Sequence, residues 1–338
     1  AYNEFKLIDN FMFIDLYHLT HVNLSFNRIE QINLRAFTTL KSLEQLDLSS
    51  NNIKLIECGL FRENKRLKCL NLSSNDLVCL KFLLYQTLAN LVDLNVSNNR
   101  LEDIECLKFV NMPSLTHLDL KANRIGKLAK NSFRNLANLM ILDLTSNQID
   151  EIESFAFKNL RKLNKLWLAN NRLVSLNPAT LQGANNVEVL DLSMNRLNQI
   201  HPFAFRYFVK LKHLWLGSNE LNHVDIVAFR DLKSLVELDL NFNRLDSFDF
   251  SQLEENGYLS GLESLWLFSN SISRVNLTFS FSICLREIYL SNLRENELSL
   301  ISRCSFPKRV RMFIDYDKAI RDQRYRTVRS LGSGSFGI

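Results

Sequence analysis

The chain has 338 residues, of which 46% are apolar and 23% are charged, with only nine glycines and four prolines. This composition is typical of a folded globular protein and excludes a disordered or collagen-like chain. The net charge of +5 arises in residues 307–338, which hold eight basic and three acidic residues, so the body of the chain is neutral. A neutral body argues against nucleic acid as the main partner.

A sequence pattern, LxxLxLxxNxL, begins at residue 19 and recurs with a period of 24 residues. Its ninth-place Asn is found ten times, at Asn27, Asn51, Asn75, Asn99, Asn123, Asn147, Asn171, Asn195, Asn219 and Asn243. Residues 3–16 already follow the same spacing, and no cysteine-rich cap precedes them. We therefore expect the chain to be a fragment that starts within a repeat. No run of eighteen apolar residues predicts a membrane span, so membrane attachment would need a segment outside this chain.

Each repeat contains positions with distinct structural roles. The xLxLx segment is typical of a short strand, in which alternation points the fourth and sixth places inward and the third, fifth and seventh places outward. The ninth-place Asn can satisfy backbone groups inside the core. Ten residues after the Asn of each repeat, from Asn3 to Asn219, lies an apolar, mostly aromatic row that is predicted to stack: Phe13, Phe37, Phe61, Tyr85, Phe109, Phe133, Phe157, Leu181, Phe205 and Phe229.

This repeat resembles the typical 24-residue class of leucine-rich repeat found in Toll-like receptors and other animal extracellular proteins. The resemblance implies an α/β solenoid, a right-handed horseshoe with a parallel concave sheet and a mostly irregular convex side. We expect about 12–13 repeats over residues 1–306, followed by a basic tail over residues 307–338.

The early repeats carry N-glycosylation sequons on the outward face. Asn23, Asn71 and Asn95 each begin an Asn-x-Ser sequon at the fifth place, and Asn276 begins an Asn-x-Thr sequon that we place in a turn. If the protein is secreted, glycans would cover the early half of the concave face. The alternative is that the repeat consensus itself produces Asn-Leu-Ser.

The late repeats carry aromatic residues at the same fifth place, where alternation points them outward. These residues are Trp167, Trp215, Trp266 and Tyr289. Exposed Trp and Tyr are enriched at protein interfaces, so we predict a ligand-binding surface here. Its polar and flanking members would be Asp191, His213, Glu237, Asp239, Phe242 and Phe268. The alternative is that the rings simply lie over their neighbours.

The C-terminal residues allow two further predictions. Cys284 and Cys304 fall in neighbouring final units and could form a disulfide, although the redox compartment stays open. The last residues, YRTVRSLGSGSFGI, resemble the first strand and Gly-rich loop of a protein kinase, with Gly332, Gly334 and Gly337 as the loop glycines. A Gly/Ser linker is the alternative. Even as a kinase start, this chain would lack the rest of a catalytic domain.

No catalytic set and no zinc spacing stands out, so we expect neither an enzyme nor a metal or cofactor site. The leading hypothesis is a receptor ectodomain or secreted recognition protein that binds a protein ligand or co-receptor outside the cell, in signalling such as innate immunity. The alternative is the regulatory region of an intracellular kinase, in the cytoplasm. A structural scaffold is a third option. The sequence does not determine the oligomeric state.

Overall fold

The computed structural model describes residues 3–81, 88–104, 109, 112–249, 258–272, 274–276, 285–289 and 311–313. The chain divides into two compact units. Unit 1 comprises Ala1–Arg172 and Ala179–Asn186, and unit 2 comprises Leu173–Pro178 and Val187–Ile338. Each unit is built on a parallel sheet to which every repeat contributes one short strand.

In unit 1 the third to fifth places of seven successive described repeats form the main sheet. Its strands are β2 (His21–Asn23), β4 (Gln45–Asp47), β5 (Cys69–Asn71), β6 (Asp93–Asn95), β7 (His117–Asp119), β9 (Ile141–Asp143) and β11 (Lys165–Trp167). Two small sheets follow the ninth-place Asn residues, β1 (Leu7–Ile8) with β3 (Gln31–Ile32), and β8 (Lys127–Leu128) with β10 (Glu151–Ile152). Equivalent places of successive repeats pair directly, so each place forms a row across the strands.

Unit 2 repeats this arrangement with six main strands among its described residues. They are β13 (Val189–Asp191), β15 (His213–Trp215), β16 (Glu237–Asp239), β18 (Ser264–Trp266), β20 (Glu287–Tyr289) and β21 (Arg311–Phe313). The small sheets are β12 (Ser175–Leu176) with β14 (Gln199–Ile200), and β17 (Ser247–Asp249) with β19 (Arg274–Asn276). One 3₁₀ turn, Ile226–Phe229, begins where the Asp225 carboxylate accepts the Val227 N–H at 2.9 Å.

The parallel repeats confirm the predicted solenoid. Two details differ from the sequence expectations for unit 2. Asn276 ends strand β19 instead of lying in a turn, because it pairs in register with Asp249. The main sheet also continues past residue 306, since Arg311–Phe313 pairs with β20.

Leucines at the fourth and sixth places form the core, as alternation predicts; Leu118 and Leu120 are fully buried. The aromatic row stacks beneath them, confirming the prediction for its described members. Phe133 lies 6.1 Å from Phe157 with rings 5° apart, and Phe205 lies 6.1 Å from Phe229 at 11°. Tyr85 lies outside the described residues.

The ninth-place Asn joins neighbouring repeats through their backbones. Asn147 donates from Nδ2 to the carbonyl oxygens of Leu120 and Leu144, at 3.0 and 3.1 Å, and its Oδ1 accepts the N–H of Ile125 at 3.1 Å. A buried backbone group without such a partner would cost roughly 1–3 kcal/mol. One Asn per repeat therefore stabilises the turn that follows each strand.

The residue before this Asn, at the eighth place, has a left-handed backbone in every described repeat, with φ between 52° and 58°. Most repeats place a short residue there: Ser50, Ser74, Asn98, Ala122, Ser146, Asn170, Ser218 and Ser269. The exceptions are Phe26, Met194 and Phe242. A side chain without a compensating local bond costs roughly 1–3 kcal/mol in this conformation.

Candidate functional site

The fifth-place aromatic residues of unit 2 are the starting point for the candidate site. Strand alternation is as predicted, because Leu214 and Leu216 lie in the core while Trp215 lies on the opposite, outer face. The expectation that the aromatic rings are exposed is wrong, however. Trp215, Trp266 and Tyr289 are only 3%, 4% and 2% exposed. The rings form a packed layer on the outer face because side chains from neighbouring strands cover them.

Stacking accounts for much of this cover at the C-terminal end of unit 2. Trp266 and Tyr289 occupy paired positions on β18 and β20, and their rings lie face to face with centroids 3.6 Å apart and planes 1° apart. Phe268, at the seventh place, packs 5.7 Å from the Tyr289 ring and is fully buried. The Tyr289 hydroxyl donates to Glu287 at 2.8 Å. The aromatic rings thus pack against one another, and the polar groups beside them are the Tyr289 hydroxyl and the Glu287 carboxylate.

A polar cluster surrounds the other indole. Trp215 donates from Nε1 to Oε1 of Glu237 at 3.2 Å, and Oε2 of the same carboxylate lies 3.0 Å from Nδ1 of His213. The three residues lie on the paired strands β15 and β16. The sequence grouped them only as members of one face, and the structure joins them through a single carboxylate.

Asp239 lies between the two tryptophans, since β16 pairs with β15 on one side and β18 on the other. Its Oδ1 accepts the backbone N–H of Asn241 at 2.8 Å. A Cβ on Gly217 would lie 3.0 Å from this carboxylate, closer than side-chain atoms normally approach. Gly217 therefore leaves the space that the carboxylate occupies.

Asn241 has a role that the sequence did not reveal. Its Oδ1 accepts the N–H of Phe268 at 2.6 Å. In other repeats a fifth-place carboxyl or amide accepts the seventh-place N–H two residues later, as Asp191 does for Ser193 at 2.9 Å. The Trp266 side chain contains no acceptor oxygen for the Phe268 N–H, so Asn241 of the preceding repeat supplies one.

The exposed apolar residues of this face lie at the eighth place. Met194 is 50% exposed and Phe242 is 39% exposed. Phe242 belonged to the predicted surface, but Met194 did not, because alternation along the strand says nothing about a residue after the strand. The signal that could have found it is the row of short residues at that place, which Met194 interrupts.

The outer face of unit 2 is acidic. From β13 to β20 its third, fifth and seventh places carry four carboxylates and no Lys or Arg among the described residues, the carboxylates being those of Asp191, Glu237, Asp239 and Glu287. Arg311 occupies the third place of the next strand, β21, in register with Glu287. Three cations at its edge are engaged in ion pairs with other carboxylates: Lys212 with Glu188 at 2.7 Å, Arg244 with Glu220 at 3.1 Å and Arg286 with Glu263 at 3.5 Å. Acidic side chains thus outnumber Lys and Arg at the third, fifth and seventh places from β13 to β20.

Trp167, the remaining predicted aromatic residue, belongs to unit 1. The Lys165 ammonium lies 5.9 Å from its ring centre, and its buried indole N–H has no hydrogen-bond acceptor among the described residues. Its paired neighbour on β9 is Asp143, whose pKa is raised by burial. Burial, reinforced by the charge of Asp143, raises the pKa of Asp119 to about 6.

The sequons of unit 1 have a local structure of their own. Asn23 and Asn95 accept hydrogen bonds at Oδ1 from the hydroxyl of the Ser two residues later, at 2.7 and 2.8 Å. Asn23 is exposed, whereas Asn71 and Asn95 are half-buried. Glycosylation of these residues and of Asn276 stays a prediction.

The remaining predictions fall on other parts of the chain. Cys284, Cys304, Gly332, Gly334 and Gly337 lie outside the described residues. Cys58, Cys69 and Cys79 are free thiols. Within the described ranges, no group of three or more His, Cys, Asp or Glu side chains is arranged to hold a metal ion, and no helix there is long and apolar enough to cross a membrane.

With this geometry established, comparison with known proteins places the fold. The leucine-rich repeat family model matches residues 1–53, 17–77, 89–149, 137–197 and 185–245, which is more than half of the chain. The chain belongs to the leucine-rich repeat family. No match was found among curated protein sequences.

Solved structures of leucine-rich repeat domains are similar over most of the chain. The leucine-rich repeat domain of APL1B is 25% identical, covers 90% of this chain and 84% of its own, and has a TM-score of 0.71. The LRIM1/APL1C complex gives 22% identity, coverage of 97% and 66%, and a TM-score of 0.69. The Toll–Spätzle complex is described as a molecular hub in Drosophila development and innate immunity. It is 21% identical, the match covers 85% of this chain and 42% of that chain, and the TM-score is 0.68. The latter two likenesses establish the fold alone.

Proposed function

We propose that this protein is a non-enzymatic recognition module that binds a protein partner on the outer face of unit 2. The observation that carries this proposal is the acidic, aromatic-backed face built by β13, β15, β16, β18 and β20. Carboxylates are held there by neighbouring strands, as Glu237 is held by Trp215 and His213. A preorganised surface of this kind loses little conformational entropy on binding.

Charge supports a basic partner. From β13 to β20 the face carries four carboxylates without a Lys or Arg at the same described places. Complementary charge speeds encounter and selects against acidic partners. The aromatic layer contributes mainly by holding the carboxylates in place, since its rings are covered.

Similar structures support protein recognition as the function. Two of them are protein complexes, LRIM1 with APL1C and Toll with Spätzle. By this analogy we propose that the present chain recognises a protein ligand or co-receptor outside the cell, in a signalling role such as innate immunity. Glycans on the unit 1 sequons would agree with that location.

A peptide selection tests the proposal. A random-peptide library displayed on phage is selected against the whole chain, and the strongest peptide is synthesised and its Kd measured by calorimetry. The variant Asp191→Asn/Glu237→Gln removes two charges and nearly keeps the shape of both side chains; each amide keeps one acceptor oxygen and replaces the other by an NH₂ donor. We expect it to weaken binding about tenfold, the effect of roughly 1.4 kcal/mol.

The matched control is Asp47→Asn, which makes the same change at the fifth place of unit 1, where Asp47 accepts the Ser49 N–H at 2.8 Å. We expect this control to leave the Kd unchanged. The proposal is contradicted by equal losses in both variants, by no loss in either, or by a selection that recovers no binding peptide.

A further inference from the structure

The eighth place of the repeat separates two kinds of residue on unit 2. Ser218 and Ser269 follow the short-residue rule of the other repeats, while Met194 and Phe242 break it. Neither bulky side chain is hidden in the core, since both are substantially exposed. Each combines a left-handed backbone, which is unfavourable for a bulky side chain, with an apolar side chain that is substantially exposed, as Phe26 does in unit 1.

Backbone hydrogen bonds place these two residues on one line. The Met194 N–H donates to the Gly217 carbonyl at 2.9 Å, the Ser218 N–H to Asn241 at 2.7 Å, and the Phe242 N–H to Phe268 at 2.7 Å. Met194 and Phe242 are therefore two strands apart, about 10 Å at a spacing of about 4.8 Å. Ser218 lies between them, and its side chain is shorter than those of Met194 and Phe242.

The acidic face begins beside this row. Asp191 precedes Met194 by three residues, and its carboxylate is only half-buried. The Asp239 carboxylate lies over Gly217, next to Ser218. A partner segment seated between the two apolar residues would thus meet carboxylates on the side of the sheet.

We propose that Met194 and Phe242 are the direct contact residues for a basic protein segment, which places an apolar side chain or an aliphatic stem over Ser218 and its cationic group toward Asp191. The covered tryptophans then act beneath the contact, as positioning residues. This inference rests on the proposed function and narrows it to the row of eighth places and to a partner that is both basic and apolar.

The test uses the peptide selected on the whole chain. Phe242→Asn and Met194→Ser introduce residues that the repeat already holds at this place, in Asn98, Asn170 and Ser218. Asn tolerates a left-handed backbone, so Phe242→Asn should fold at least as well as the parent. We expect each variant to weaken binding about tenfold while the midpoint of thermal unfolding stays unchanged or rises.

Phe26→Asn is the matched control, because Phe26 has the same residue type, place and exposure class in unit 1. We expect no change in Kd for this variant, and we expect selected peptides to combine Lys or Arg with apolar residues. The inference is overturned if acidic peptides are selected. It is also overturned if Phe242→Asn and Met194→Ser keep full affinity or lower only the unfolding midpoint.

The two proposals fail in different ways. If Asp191→Asn/Glu237→Gln weakens binding and the Met194 and Phe242 variants do not, the proposed function stands and the contact row is wrong. If none of these variants weakens binding, both proposals are wrong.

Discussion

The fifth place of the repeat is occupied differently in the two units. In unit 1 six of its seven main strands place Asn or Asp there, and these side chains accept the N–H two residues later, as Asp47 does for Ser49. In unit 2 three of the five places from β13 to β20 are aromatic, and the rings of two of them, Trp266 and Tyr289, stack on the outer face. The backbone is the same in both, so the repeat tolerates either solution provided that its N–H groups are satisfied.

This difference shows how an outer face can be altered without altering the fold. Replacing an acceptor by Trp266 leaves the Phe268 N–H to be satisfied elsewhere, and Asn241 takes that role. The change therefore involves two repeats at once. The outer face of unit 2 therefore depends here on a pair of positions in adjacent repeats.

The largest expected effect is the loss of a fifth-place ring. Trp266→Ala removes a buried indole that stacks on Tyr289 at 3.6 Å. Replacing a buried Trp by Ala leaves a cavity and lowers the free energy of unfolding by about 3–5 kcal/mol. Urea unfolding measures the loss. Asp47→Ala, the unit 1 counterpart, removes one hydrogen-bond acceptor and should cost about 1 kcal/mol. An equal or larger loss in Asp47→Ala would show that the rings are not a packed layer.

The next effect concerns the buried carboxylate of unit 1. Because the pKa of Asp119 is raised to about 6, the folded state binds its proton more tightly than the unfolded state does. Its contribution to stability is complete below the unfolded pKa near 4 and is lost as the pH rises through about 6. Asp119→Asn should therefore stabilise the protein by up to about 3 kcal/mol above that pH, and by little near pH 4.

Thermal unfolding at about pH 8 and about pH 4 would test this sign. Asn is a suitable replacement, since Asn71 and Asn95 occupy the same place and bond the backbone in the same way. An equal effect at both pH values would mean that burial of the charge is not the cause.

The smallest of the three effects concerns Asn241, which accepts the Phe268 N–H from the next repeat. Asn241→Ala leaves the buried Phe268 N–H without its partner at 2.6 Å, which should lower the unfolding free energy by about 2 kcal/mol. Ser49→Ala, at the seventh place of unit 1, should change it by less, because the Ser49 N–H keeps its acceptor Asp47. Chemical denaturation separates the two, and similar small losses in both would refute the compensating role of Asn241.

Periodicity made most of the fold predictable. The 24-residue spacing identified the strands, the inward leucines and the stacked Phe row, because each depends only on the place within one repeat. Exposure was not predictable in the same way. Whether Trp215 is covered depends on side chains of the neighbouring strands, such as Glu237, and a single repeat contains no information about them.

The candidate site was predictable only in part for the same reason. Alternation placed Trp215, Asp239 and Trp266 on one face, but it could not show that Asp239 lies over Gly217. The exposure of Met194 was not predictable, because strand alternation does not extend to the eighth place, which follows the strand. Met194 and Phe242 differ from the short residues that most repeats place before the Asn, and the pattern of a single repeat does not account for them.

The bonds of the ninth-place Asn have a consequence for how such a chain can evolve. Asn147 reaches back 27 residues to the Leu120 carbonyl and 3 residues to that of Leu144, and the 24-residue repeats around it show the same separations; Asn270, which follows a longer repeat, reaches back 30 residues to Leu240. Duplication or loss of one complete 24-residue segment preserves all these separations across the junction, whereas loss of half a segment destroys them. Gene segments of whole-repeat length can therefore be copied or deleted with little penalty. The number of repeats is then free to vary between lineages while the chemistry of each repeat stays constant.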